Sequence, residues 1–266
     1  VKGEAHPNVE VIEPENYAGK EAMVEAFMER RKGKHTESEA RDLLKQQNYF
    51  GTMLVYQGLA KGLVSGAIQS TGDTVRPALQ IIKTKPGIQR AFGYFLMLRE
   101  DEKYLMADCA INPNPTAEEL AQFAVETGKI ASMYNIDPKV GMLSFSTDGS
   151  GVTDESIKVK KATELAQAMA PDMAIDGEMQ FDSAFVPSVA KKKFPSSSVA
   201  GNVNVFVFPT RDAGNIGYKI AQRLGHFEAI GPILAGLNQP VNDLSRGCDV
   251  DDVYHLAIIT AAQAIY

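Results

Sequence analysis

Tryptophan is missing altogether, and only two cysteines, Cys109 and Cys248, occur in 266 residues. Isolated thiols without regular spacing indicate neither a disulfide framework nor a cysteine-based zinc site. Histidine is almost as sparse: His6, His35, His226 and His255 are scattered, so no metal centre is expected. Cations are outnumbered, 27 Lys and Arg against 33 Asp and Glu, for a formal net charge of −6. Such a chain has no global positive field for nucleic acid, and an anionic ligand has to be met by individually placed arginines. No apolar run reaches the ~20 residues of a membrane-spanning helix, and no signal-peptide pattern is read. Membrane contact is therefore not expected, and the expected setting is the cytoplasm. Phosphate-binding glycine loops are lacking too: no GxxxxGK[ST] occurs, and Gly214 and Gly217 lack the rest of a dinucleotide fingerprint. Ser144 and Ser146 flank Phe145 without forming a GxSxG elbow.

What remains is an ordinary globular mixture, 44% hydrophobic and 23% charged, at a length where one core tends to split in two. Val9 to Ile12 reads as a short strand with little before it to pair with, as though the chain began inside a domain. Glu21 to Met28 reads as a helix. Thr36 and Glu39 form a capping-box pattern whose helix is expected to run to about Ala60. Gly62 to Ala67 reads as a buried strand, followed by a small polar loop, Gln69 to Thr74, and a helix from Val75 to Lys83 with Arg76 and Pro77 in its first turn. A strand, a small-residue loop and a helix with Arg at its start make an anion-binding candidate, although an ordinary strand-to-helix turn with a surface Arg has the same pattern.

Beyond Pro86 and Gly87 the alternation becomes regular. Strands are expected at Tyr94–Leu98, Tyr104–Ala110, Lys139–Phe145, Met173–Gly177 and Asn204–Phe208, the first two as a hairpin. Helices are expected at Thr116–Tyr134, Asp154–Met169, Phe181–Lys192 and Asp212–Leu224. Apolar strands alternating with amphipathic helices predict a mostly parallel α/β sheet covered on both faces. Ligands in such sheets bind outside the carboxyl ends of the strands. Candidate substrate contacts therefore lie in three loops: Ser65, Gly66, Ser70 and Thr71 in the first, Ser146 and Thr147 in the second, Asn215 and Gly217 in the third.

The stretch Asn242 to Asp252 reads as a loop entering a helix. Asp249 is the N-cap candidate, Asp252 stands at the capping-box position, and Val253, Leu256, Ala257 and Ala261 follow at helical spacing. Ser245, Arg246 and Gly247 stand just before, where backbone N–H groups and the helix dipole favour an anion. A capped helix with an Arg246–Asp243 pair explains the same residues without any ligand.

Several stretches are worded like one family. Leu63 to Ala67, Asp73 to Gln80, Asp108 to Asn112, Leu143 to Thr147, Asp176 to Glu178, Asn204 to Phe208, Ala213 to Lys219 and Asn242 to Gly247 all resemble phosphotransacetylase (phosphate acetyltransferase). The resemblance runs from about Arg30 to the C-terminus. It implies an enzyme that interconverts acetyl-CoA plus inorganic phosphate with CoA plus acetyl phosphate by direct attack of the CoA thiolate. It implies Arg246 as the essential active-site arginine, Ser245 as its neighbouring hydroxyl and Asp252 as the base for the thiol. Arg76 matches a substrate-binding arginine, and Arg30, with Arg31 beside it, matches a second.

The same resemblance implies two α/β domains of isocitrate/isopropylmalate dehydrogenase-like kind, each a mostly parallel sheet flanked by helices. These are 1–84 plus 235–266, and 85–234, with the active site in the cleft and hinges near Pro86 and Pro232. A further N-terminal strand and helix, present in the family, is expected to be missing here. No tightly bound cofactor, with CoA only as substrate, and a homodimer are also implied. Cys248 is not expected to be a nucleophile, because CoA brings the thiol. Three rivals remain: a transferase for a longer acyl group such as butyryl, a decarboxylating dehydrogenase of related fold, and a non-catalytic acyltransferase-like domain.

Overall fold

A computed structural model describes residues 8–265. His6 lies outside them. The first half begins with three helices, α1 (Lys20–Arg31), α2 (Glu37–Leu43) and α3 (Gln47–Tyr56), then strand β1 (Leu63–Gly66) and helix α4 (Thr71–Pro77), which continues as a π-helical turn, Ala78–Ile82. The hairpin β2 (Phe92–Arg99) and β3 (Glu102–Ala107) follows, then α5 (Ala117–Ala131), β4 (Lys139–Leu143), α6 (Asp154–Met169) and β5 (Ala174–Met179). Next come α7 (Phe181–Phe185), α8 (Pro187–Lys193), β6 (Val205–Val207) and α9 (Arg211–Leu224). The chain closes with β7 (Glu228–Ala235), β8 (Val241–Leu244) and α10 (Val250–Gln263).

The strands form two sheets. Six lie in the order β5-β4-β6-β3-β2-β7, and β1 pairs with β8 in a separate parallel ribbon. The expectation of a mostly parallel sheet holds with one exception, the first strand of the expected hairpin. β5, β4, β6 and β3 run parallel, but β2 is antiparallel to both of its neighbours, β3 and β7. The β2–β3 turn is too short for a crossover, and antiparallel pairing is what a tight hairpin allows. The result is a mixed α/β fold, with helices covering the faces.

Local rules account for most boundaries. Thr36, Thr116 and Thr153 each accept a hydrogen bond from the backbone N–H three residues on, and the side chain there accepts one from the cap's own N–H. Within α5, Leu120, Ala121, Phe123 and Ala124 are fully buried against the sheet. Phe92, Tyr94, Leu105, Val205 and Phe206 are buried to within 1% of their surface, each burial contributing roughly 1.5–3 kcal/mol. A separate apolar cluster joins Met23, Phe27, Phe50, Met53 and Ile81 from the first helices to Leu234, Leu237 and Val241. Leu244, Leu256 and Ile259 instead join the core of the larger sheet.

Four local expectations change. Residues 9–12 form no strand. The single helix from Thr36 is two, broken at 44–46. The helix expected at Val75 starts at Thr71, so Arg76 and Pro77 sit at its end. Asn242 to Leu244 is a buried strand, not a loop, because Asn242 bonds the Leu234 N–H, Thr260 and Gln263 from its one side chain. No helix among the described residues is long and apolar enough to cross a membrane.

Candidate active site

One polar cavity of about 480 Å³ opens between the end of β8, the start of α10, the outer face of α9 and the loop after β1. Ser245, Arg246, Gly247 and Asp252 line it, together with Gln69, Thr71, Asn215, Tyr218, Lys219, Gln222 and Arg223. Its ionisable lining carries three cations, Lys219, Arg223 and Arg246, against a single carboxylate, Asp252. Charge of that kind receives an anion although the whole chain is acidic.

The Ser245–Asp252 wall is built by capping. Asp249 accepts from the Asp252 N–H at 2.9 Å, and Asp252 Oδ2 accepts from the Asp249 N–H at 3.1 Å. This reciprocal pair fixes Asp252 in the first turn of α10, half-buried, facing the cavity. Ser245 Oγ accepts from the Gly247 N–H at 3.3 Å, which leaves its own hydrogen to donate. Arg246 is exposed and makes no ion pair among the described residues, so the alternative Arg246–Asp243 pair does not form.

The opposite wall comes from α9. Lys219 and Arg223 stand one turn apart on the same face, both exposed. Tyr218 beneath them stacks on Phe95 at 3.8 Å. Helix α9 is held close by Gly214, where a Cβ would come within 2.4 Å of the Asp108 carbonyl oxygen. Asn215 then donates to the Cys109 carbonyl at 3.2 Å. Asp108 is the scaffold of this corner: its carboxylate accepts from the N–H groups of Gly93, Ala110, Ile111 and Asn112 and from the Asn112 amide. Cys109 reaches the cavity wall, but burial pushes its thiol well up and Asp108 adds to that, which suits a packed thiol better than a nucleophile.

The remaining expected contacts fall into two groups. Thr71 and Asn215 line the cavity; Ser65, Gly66 and Ser70 do not. Ser65 Oγ donates to Asn48 Oδ1, and Asn48 Nδ2 donates to Gln69 Oε1, so Ser65 orients Gln69, which does line the cavity. Gly66, at φ +100, lets β8 approach: a Cβ would come within 2.4 Å of the Leu244 carbonyl oxygen. Ser70 is tied to Asp73 at 2.7 Å. Arg76 is exposed at the end of α4 and outside the cavity lining.

Arg30, Ser146, Thr147 and Gly217 are elsewhere. Arg30 donates to the carbonyls of Ile81 (2.6 Å) and Ile82 (3.1 Å), and Arg31 to that of Gln80 (3.2 Å), so both arginines bind the carbonyl end of the π-helical turn. Ser146 is fully buried, donating to Glu178 at 2.9 Å and accepting from Gly151 N–H at 3.0 Å. Thr147 accepts from the Gln180 N–H at 2.9 Å. Gly217 makes room for the Phe208 ring, 2.9 Å from where its Cβ would be. Lys219 and Arg223 were not singled out in the sequence, where they look like surface residues of an amphipathic helix. Among the described residues no group of His, Cys, Asp and Glu is placed to hold a metal.

Residues 3–261 match the family model described as phosphate acetyl/butaryl transferase. The phosphate acetyltransferase of Bacillus subtilis (strain 168) is 62% identical over 257 residues, 97% of this chain and 80% of that protein. The crystal structure of a phosphotransacetylase from Streptococcus pyogenes superposes with a TM-score of 0.92 at 63% identity, covering 95% of this chain and 77% of that one. The EutD phosphotransacetylase from Staphylococcus aureus gives 0.89 at 59% identity, covering 97% and 79%.

Proposed function

This chain belongs to the phosphate acetyl/butaryl transferase family, and from that premise we propose how its cavity performs acetyl transfer. The reaction is acetyl-CoA plus phosphate to CoA plus acetyl phosphate, in either direction. The observation that carries the mechanism is the convergence of Ser245, Arg246 and Asp252 on one cavity with Lys219 and Arg223 across from them.

A thiol has a reference pKa of about 8.5, so little thiolate exists at neutral pH without help. Asp252 takes the CoA thiol proton as sulfur attacks the acetyl carbon of acetyl phosphate. The C–S bond forms, the carbonyl oxygen becomes an oxyanion, and collapse breaks the C–O bond to release phosphate. Arg246 and the Ser245 hydroxyl stabilise the oxyanion and the departing phosphate. Arginine suits this because its planar fork matches two phosphate oxygens at once. Lys219 and Arg223 meet the phosphate groups of CoA, which arrives as a polyanion and leaves as one. Arg76, exposed at the end of α4, adds a further positive charge to the field that draws anions in. The carbon, sulfur and proton steps need only these side chains and the two substrates, with CoA as substrate and no resident cofactor.

For the division into 1–84 plus 235–266 and 85–234, the separate apolar cluster of the first helices with Leu237 and Val241 is the support, while Leu244, Leu256 and Ile259 pack into the core of the larger sheet. The dehydrogenase-like arrangement with a cleft between units, assembly as a homodimer and residence in the cytoplasm belong to the same family reading. The test is thioester formation from acetyl phosphate and CoA by the unaltered chain. Turnover with acetyl phosphate supports the reading. Turnover with butyryl phosphate in its place moves the substrate to a longer acyl group, and no turnover with either overturns the assignment of this cavity.

A further inference from the structure

A small recess adjoins the cavity at Ser245 and Asp252. Its lining is Gly231 on β7, Leu244 at the end of β8, Ser245 and Cys248 in the loop that follows, and Asp252 and Leu256 on α10. Four of these, Gly231, Leu244, Ser245 and Asp252, line the main cavity as well, so the recess is a side pocket of the site. Cys248 and Leu256 line the recess alone and form its closed end. Its volume is about 10 Å³, against about 480 Å³ for the cavity. A space of about 10–15 Å³ holds one water-sized group, so the recess admits one small group and no chain.

The recess also differs from the cavity in kind. Leu244 and Leu256 are buried in the core of the larger sheet, and Cys248 packs against the same core. Leu256 follows Asp252 by four residues on α10, one turn further along the same face. The Cys248 N–H donates to the Ser245 carbonyl at 3.0 Å, which folds the loop back so that both residues face one recess. A close-packed core has little room to give, so the depth of the recess is set by packing.

Acetyl phosphate has three ends: a phosphoryl anion, a carbonyl oxygen that becomes anionic as sulfur attacks, and a methyl group. The two polar ends need Arg246, the Ser245 hydroxyl and the open cavity. Two leucines and a thiol offer an anion no partner and would cost it its water. Only the methyl gains by entering.

We propose that this recess is the acyl pocket, and that Leu256 and Cys248 set the acyl-chain length by closing it just beyond the methyl of acetyl. The proposal rests on the acetyl-transfer reading of the cavity and adds to it the residues that choose acetyl over butyryl. Leu256→Ala shortens the closed end by an isopropyl group, which opens room for the longer chain.

The test measures kcat/KM for acetyl, propionyl and butyryl phosphate, each with CoA, in the unaltered chain, Leu256→Ala and Cys248→Ala. One methylene too many for an apolar pocket costs about 10–200-fold, so the unaltered chain should prefer acetyl to butyryl by about 10²-fold or more. Leu256→Ala should raise the butyryl-to-acetyl ratio about tenfold or more, and Cys248→Ala should raise the propionyl-to-acetyl ratio. Each ratio is taken on one preparation, so a loss of folded protein lowers both rates alike and leaves the ratio unmoved. An unchanged butyryl-to-acetyl ratio in Leu256→Ala overturns the proposal. So does an unaltered chain that turns over butyryl phosphate at least as fast as acetyl phosphate. Should Leu256→Ala not fold, an unchanged propionyl-to-acetyl ratio in Cys248→Ala is sufficient to overturn it. An unaltered chain that forms no thioester from any of the three would instead remove the acetyl-transfer reading, and this proposal with it.

Discussion

Two loops in this protein leave the carboxyl ends of strands, are rich in Ser, Gly and Asp, and lead into a helix. One follows β4, from Ser144 to Gly151; the other follows β8, from Ser245 to Asp249. In the first, the donors and acceptors are used up internally: Ser146 on Glu178 and Gly151, Thr147 on Gln180 and Ser150, and Gly149 on Glu178. In the second, Arg246 is unpaired, Ser245 retains its hydrogen, and Asp252 faces a cavity. Composition cannot separate the two. Unspent hydrogen-bonding capacity does, and it is the reason the β8 loop is the one proposed to meet a ligand.

The contrast breaks first at Asp252. Asp252→Asn should lower kcat for thioester formation by about 10²–10⁴, the contribution of a positioned base; an unaltered rate would return Asp252 to capping alone. Arg246→Ala should cost about 10²–10³ in kcat with the melting temperature little changed, as expected for a charge that stabilises the transition state from an otherwise unbonded side chain. Across the cavity, replacing both Lys219 and Arg223 by Ala should raise KM for CoA about tenfold or more while kcat holds, since phosphate contacts distant from the reacting carbon add uniform binding.

For the closed loop the expected pattern is reversed. Ser146→Ala should leave turnover within about twofold while destabilising the fold by about 1 kcal/mol or more, because it removes one of two donors to Glu178 Oε1 and orphans the Gly151 N–H. A large loss of turnover with unchanged stability would show that this loop, too, serves substrate. The smallest effect concerns Asp243. A carboxyl held above its ordinary range in the folded state binds its proton more tightly there than in the unfolded chain. The stability this gives is present at acid pH and is lost as pH rises from the unfolded carboxylate range through the folded value. Asp243→Asn should therefore gain stability relative to the unaltered chain on going from pH 4 to pH 8, read as a difference in melting temperature that moves in the variant's favour.

Much of the fold can be read directly from residue patterns. Helix α6 begins and ends where its periodicity says, and α5 and α10 start at their capping boxes. β7 is not legible, since Gly231 and Pro232 interrupt the apolar run, and the strand pairs with β2 on either side of an irregularity at those two residues. β8 was read as a loop because Asn242 and Asp243 are polar, and only the folded chain shows the partners that let Asn242 be buried. The β8–α10 wall of the site was legible because capping is local. The α9 wall was not, because Lys219 and Arg223 acquire meaning only from what the helix faces. Arg30 shows the converse: a basic cluster that looks available in the sequence is committed to the carbonyls of Ile81 and Ile82.

The pairing of β1 with β8 also sets a clock. Leu63 lies opposite Val241, so about 180 residues separate the partners of this ribbon. At a synthesis rate of about 5–20 residues per second, β1 waits roughly 10–35 s for the strand that covers it. Through that interval the nascent chain also lacks Leu234, Leu237 and Val241, which complete the apolar cluster of the first helices. A ribosome-bound chain stalled before residue 241 should accordingly be cut readily by protease within its first 90 residues and be protected there soon after release.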